Sequence, residues 1–195
     1  MGIPMELTAN FGELRTHHWH MGLDIRTQAK ENLPVYAAAG GYVASIGVRP
    51  LSFGRFIIIN HPNGLSTLYA HLNDFEPALE AYVTQQQYQQ ESWAIELKFS
   101  PHQFPVTKGT FIGYSGNTGG SAGPHLHFEI MDTKTERRLN PLLFGFPLED
   151  KVPPVIKGIA LYDRGRSING QSPRAVPIKK TITGYTLANS DTLTT

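Results

Sequence analysis

The chain has 195 residues, 40% of them hydrophobic and 17% charged, with a formal net charge of +1 and no cysteine. This balance suits one well-buried domain, or one domain plus a partial second, and argues against a disordered chain. Without cysteine there are no disulfides and no thiolate metal sites, so any metal must be held by His, Asp or Glu. No apolar run reaches the roughly 18 residues of a membrane span. No basic run interleaved with aromatics marks nucleic acid as a partner. The opening "MGIPMELTANFGELR" lacks the basic-then-apolar layout of an export signal.

In chain order, "GGYVASIGV" (residues 40–48) alternates like a strand. "FGRFIIINH" (53–61) carries Ile57, Ile58 and Ile59 in succession, which predicts a strand buried on both faces. Asn63-Gly64 is a hairpin signal that joins it to a strand over 65–72. "FEPALEAYVTQQQYQQ" (75–90) predicts a helix, with Pro77 in its first turn. "SWAIELKF" predicts a strand with Trp93, Ile95, Leu97 and Phe99 on one face. "GTFIGYSG" and "HLHFEIMD" predict two more strands. Between them lies "SGNTGGSAGP", whose small side chains let the backbone approach a ligand closely. Pro153-Pro154 breaks any regular element and places a boundary near 149–154. Residues 1–150 then form the main domain. Residues 151–195, opening on the strand "VIKGIALYD", form a C-terminal β extension or the first strands of a second β domain. The predicted fold class is all-β: mainly antiparallel sheet, sandwich- or barrel-like, with one short helical insertion.

Eight histidines are unevenly placed. In "HMGLD", His20 and Asp24 can converge on one ion from a helix face or from a turn leading into a strand. Alone, this pattern also describes an exposed His near a surface Asp. His71 in "YAHL" alone reads as a half-buried residue with a hydrogen-bond partner. In "HLH", strand alternation puts His125 and His127 on one face, with Leu126 and Phe128 on the other. Together these segments supply four imidazoles and one carboxylate, and the Gly-rich loop ends at the second pair. A catalytic zinc takes three protein ligands and keeps one position open. One Asp and two His leave such a centre at net +1. The ion brings the pKa of its water towards about 7. No H-E-x-x-H helix offers a Glu base. Imidazoles not used as ligands can carry protons instead, because they titrate near working pH. His17, His18, His61 and His102 have no comparable setting.

"NFGELR…HMGLD", "YAHL" and "SGNTGGSAGPHLHFE", in this order, resemble the lysostaphin-type zinc metallopeptidases, peptidoglycan endopeptidases of the duplicated hybrid motif fold. The resemblance covers about residues 10–145, and the stretch of about 78–104 looks like an insertion. It implies that His20, Asp24 and His127 are zinc ligands, and that His71 and His125 activate water and steady the tetrahedral intermediate. It implies a Zn2+ cofactor, the peptide cross-links of bacterial peptidoglycan as substrate, and action outside the cytoplasm. Some such domains lose ligands and serve as cell-wall binding or hydrolase-activating modules; all five motif positions stand here. "AAAGGYVASIG" and "VTKGTFIGYSG" also look like pieces of lipoyl- and biotinyl-carrier barrels. No Lys sits at a suitable hairpin tip, so that likeness is one of sheet architecture.

Overall fold

The computed structural model describes residues 4–15, 18–146, 148, 155–167 and 170–188. The chain divides into two compact units, Met1–Leu148 and Glu149–Thr195. The expected boundary at 149–154 lies outside the described residues.

The first unit runs β1 (Leu7–Ala9), β2 (Leu23–Arg26), β3 (Pro34–Tyr36), β4 (Gly41–Val48), β5 (Arg55–Asn60), β6 (Leu65–Ala70) and β7 (Leu72–Phe75). After α1 (Pro77–Gln89) come β8 (Ile95–Lys98), β9 (Pro105–Val106), β10 (Phe111–Ser115), β11 (His125–Asp132) and β12 (Arg138–Leu139), then a 3-10 turn at Pro141–Phe144. A nine-stranded sheet has the order β1-β2-β11-β6-β5-β4-β8, with β12 on β11 and β9 on β4; β3-β10-β7 form a second sheet. The pairings within both sheets are antiparallel. The fold is all-β, as expected.

Side-chain alternation builds the main core from both sheets. Leu126, Phe128 and Ile130 of β11, Ile57 and Ile59 of β5 and Val43 and Ile46 of β4 pack with Val35 of β3, Ile112 of β10 and Leu72 and Phe75 of β7. Phe56, Leu68, Ala70 and Met131 form a smaller cluster, with Phe53 and Ile58 packed against it. The isoleucine strand therefore meets apolar neighbours on both faces, although Ile58 is only half-buried. The Asn63-Gly64 turn closes the β5–β6 hairpin, with Gly64 in the left-handed region and His61 N–H donating to the Leu65 carbonyl.

Helix α1 starts one turn of chemistry after β7. Glu76 caps it by accepting from the Ala78 and Leu79 amides, and Pro77 sits at its start. Leu79 and Val83, four apart, are its buried contacts. β8 is shorter than "SWAIELKF" predicts. The Trp93 carbonyl accepts from Gln87 and the Ala94 carbonyl from Ser92, which holds that stretch as a turn and leaves Trp93 58% exposed. The second unit is an antiparallel meander of β13 (Gly158–Leu161), β14 (Arg174–Lys180) and β15 (Tyr185–Leu187). Among the described residues, no helix is long and apolar enough to cross a membrane.

Candidate metal centre and active site

Three neighbouring strands carry the site. In the β2–β11 ladder Asp24 lies opposite His127, and Arg26 opposite His125. Directly opposed side chains stand about 4.5–5.5 Å apart at Cβ, so register alone brings the Asp24 carboxylate to the His127 ring. On the other side of β11, His127 pairs with Ala70, the residue before His71. His71 leaves β6 in the left-handed region, φ 60°, held by its N–H donating to the Phe53 carbonyl. That conformation costs a non-glycine residue on the order of 1–3 kcal/mol and swings the ring towards β11. His20 arrives on a ribbon in which Gly12 N–H donates to the His20 carbonyl and His20 N–H to the Glu13 carbonyl. Gly22 lets this segment lie against β11: a Cβ there would meet the Phe128 carbonyl oxygen at 2.4 Å and His127 at 2.9 Å.

The donors form a small triangle. His20 Nε2 is 3.0 Å from Asp24 Oδ1, His127 Nδ1 is 2.8 Å from the same oxygen, and the two nitrogens are 3.1 Å apart. All three residues are buried. The far side of each ring fixes its protons. His20 Nδ1 lies 2.7 Å from the Asn10 carbonyl oxygen, and His127 Nε2 lies 3.0 Å from Glu129 Oε1. Both partners can only accept, so these ring nitrogens carry hydrogen, and His20 Nε2 and His127 Nδ1 present lone pairs to the centre. Two lone pairs and a carboxylate oxygen thus face one another with no proton between them. Such a convergence needs a cation. Zn–N and Zn–O bonds of roughly 2.0–2.1 Å separate tetrahedral corners by about 3.3 Å, close to this triangle. The donor set fits zinc.

A second proton on one imidazole can also supply the positive charge. Burial disfavours it on His127, but hydrogen bonds to Asp24 and Glu129 outweigh that and raise this imidazole to about 8. Burial would likewise raise the Asp24 carboxyl, yet the nitrogens of His125, His127 and His20 that face it, which donate to it when protonated, hold it well below the usual carboxylate range.

His71 and His125 stand beside the triangle, their ring centroids 4.7 Å apart. His71 Nδ1 donates to the Thr118 carbonyl at 2.8 Å, and His125 Nδ1 to the Gly123 carbonyl at 2.8 Å. Each therefore presents Nε2; that of His125 is 3.4 Å from Asp24 Oδ1. Burial pushes His71 down to about 4; the Thr118 bond opposes this, and His125 and His127 nearby add to it. The Gly-rich loop holds Thr118 in place. Gly54 (φ 61°) and Gly119 (φ 73°) pass so closely that a Cβ on Gly119 would meet Gly54 N at 2.3 Å.

The structure brings His20, Asp24, His71, His125 and His127 into one cluster. It leaves His18 and His102 exposed and buries His61 between the Gly40 carbonyl and Thr67; His17 lies outside the described residues. Sequence reasoning missed Glu129, which strand alternation could have found: it follows His125 and His127 on the same face. It is 2% exposed and also accepts from Arg138 Nε at 3.0 Å. The Asn10, Thr118 and Gly123 carbonyls, being backbone atoms, leave no signal in residue type.

The model of peptidase family M23 matches residues 18–89 and 94–141. The chain belongs to peptidase family M23. All five clustered residues fall inside the match. The M23 chain is 34% identical over 113 residues to the DD-carboxypeptidase/endopeptidase Mpg of Neisseria meningitidis, covering 58% of this chain and 20% of that one. It is 28% identical over 153 residues to the peptidoglycan DD-endopeptidase ShyA of Vibrio cholerae, covering 75% and 29%. The catalytic domain of lysostaphin from Staphylococcus simulans shares the fold, with TM-score 0.53 and 22% identity over 72% of this chain and 91% of that one. The chain spans about a fifth of the length of the first curated relatives it matches. The M23 centre opens on a groove of about 730 Å3 whose lining includes Asp24 and His125, together with Arg15, Arg26 and Gln28.

Proposed function

We propose that this chain is a zinc-dependent endopeptidase that hydrolyses peptide cross-links of bacterial peptidoglycan, acting outside the cytoplasm. One observation carries the reading. Four imidazoles, each tied at its back to an oxygen that only accepts, turn their other nitrogens towards Asp24 and the space around it. Membership of a peptidase family, and likeness to a DD-carboxypeptidase/endopeptidase and to a peptidoglycan DD-endopeptidase, support it.

In this reading His20, Asp24 and His127 hold the ion and leave one position open. A zinc ion held there would supply an acidified water and a polarised scissile carbonyl. His71, unprotonated at neutral pH, accepts a proton at Nε2. His125, when it also carries a proton at Nε2, hydrogen-bonds the negative charge that develops on the carbonyl oxygen, and the proton taken up by His71 passes to the departing amine. The carbonyls of Thr118 and Gly123 keep both rings oriented through this exchange.

The test is digestion of cross-linked muropeptides of defined bridge chemistry by the zinc-loaded protein, with products read by mass. His71→Ala should keep its zinc and lose about two to four orders of magnitude in turnover, the scale of a proton-transfer group. Normal turnover in that variant, or cleavage that survives loss of zinc in His20→Ala, would refute the assignment.

A further inference from the structure

We propose that Arg15 and Arg26 form a subsite for a carboxylate of the substrate, so that the groove selects an anionic peptide over a neutral one. The inference rests on the endopeptidase reading and adds to it the chemistry of the peptide. Asp24 and Arg26 lie two apart on β2 and so project from the same face. Arg26 stands directly across the ladder from His125. Arg15 reaches the same place from the His20 ribbon, its Nη2 3.4 Å from Asp24 Oδ2. The two guanidinium groups thus flank the centre, one beside a metal donor and one beside His125, and both line the groove.

Neither is firmly engaged. Among the described residues, Arg15 has ion pairs of 3.4 and 3.5 Å to Asp24 and Glu13, and Arg26 has one of 3.7 Å to Glu6. Their side chains are 40% and 51% exposed. A guanidinium offers five N–H donors in a fork that suits a carboxylate, and these long contacts leave most of them open. The acidic side chains lining the groove are Glu6 and Asp24, and Asp24 is committed to the histidines. Glu13 also accepts from the Asn10 amide, so Glu13 and Glu6 meet the two guanidinium groups only at 3.5 and 3.7 Å, and the donors left open favour a negatively charged occupant. Cross-strand neighbours are about 5 Å apart and an extended peptide advances about 3.3–3.6 Å per residue. The bound carboxylate therefore belongs within about two residues of the scissile bond. It is a peptide C-terminus or a carboxylate on a side branch.

Four synthetic peptides with one scissile bond separate these cases: both carboxylates free, the C-terminus amidated, the branch amidated, or both amidated. Each is given to zinc-loaded wild type, Arg26→Gln and Arg15→Gln/Arg26→Gln, with zinc content checked because Arg15 touches Asp24. Binding is read by titration calorimetry and cleavage by mass. Wild type should favour the free forms by about tenfold or more, the scale of a charge-assisted hydrogen bond, expressed in Kd and KM rather than kcat. The variants should lose that preference, and the singly amidated peptides show which carboxylate carries it. Equal affinity of wild type for all four peptides, or an undiminished preference in the double variant, overturns the subsite. A binding preference without cleavage of any peptide upholds the subsite and overturns the endopeptidase reading instead.

Discussion

Glu129→Gln isolates the contribution of the carboxylate behind His127. Glu129 accepts from His127 Nε2 at 3.0 Å and from Arg138 Nε at 3.0 Å, and is 2% exposed. Gln keeps the shape and one acceptor but loses the charge. A charge-assisted hydrogen bond contributes about 1.5–3 kcal/mol and a neutral one about 0.5–1.5 kcal/mol, so the exchange weakens support of the ring by about 1–2 kcal/mol. Loss of such outer partners lowers metal affinity by about 10- to 100-fold. The Arg138 side chain is 32% exposed and can turn to water, so the variant should fold. The pH at which affinity is measured decides how much of the loss is seen. With His127 raised to about 8, a proton competes with the ion by about tenfold at pH 7 and hardly at all at pH 8.5. Removing the charge also weakens that competing proton. Competition against a chromogenic chelator should therefore show the full loss at pH 8.5 and a smaller one at pH 7. Unchanged zinc affinity at pH 8.5 in a folded Glu129→Gln protein would show that Glu129 does not act through His127.

The metal-free protein should be most stable near pH 6.5. His71, held at about 4, takes up its proton more readily when unfolded, so stability falls from pH 6.5 to 4 by about 3 kcal/mol. His127, raised to about 8, contributes stability that is lost as pH rises from 6.5 through 8, about 2 kcal/mol. Urea midpoints across this range check both slopes, and His71→Gln should flatten the acid one. Zinc at a hundredfold excess over its Kd should add about 2.7 kcal/mol of stability, and removing it with a chelator should abolish hydrolysis. Gly119→Ala should destabilise by about 1–3 kcal/mol, because its left-handed backbone and the Gly54 contact both resist a Cβ. Since Thr118 O orients His71, turnover of that variant should fall while its zinc affinity holds.

Strong local patterns were legible in the sequence and weak ones were not. The isoleucine run, the Asn63-Gly64 turn, the helix and the "HLHFEIMD" strand announce themselves through periodicity or turn chemistry. β1, β2 and β3 have three or four residues each, too few for a period to show. Their place comes from pairing: β2 exists as a strand because β1 and β11 bond its two edges. That pairing also settles what "HMGLD" left open, since Asp24 lies on a strand and His20 precedes it in a ribbon. Trp93 shows the converse. Alternation assigned it to a strand face, but side-chain bonds to the backbone at 93 and 94 hold a turn there instead.

Alternation alone cannot divide the work between His125 and His127. Both point to one face, and both reach Asp24 Oδ1, at 3.4 and 2.8 Å. What differs is the group behind each ring. His127 is backed by the buried Glu129 carboxylate, which strengthens its lone pair and favours a positive charge in front of it. His125 is backed by the neutral Gly123 carbonyl, with Ser121 Oγ at 3.1 Å. It is also less buried and stands against His71 rather than against His20. A ring that holds a cation benefits from the first setting, and one that must gain and release a proton from the second. These settings support the proposed division, with His127 as ligand and His125 as proton carrier. A His125→Ala protein that binds zinc normally, beside a His127→Ala protein that does not, is the pair of outcomes this division requires.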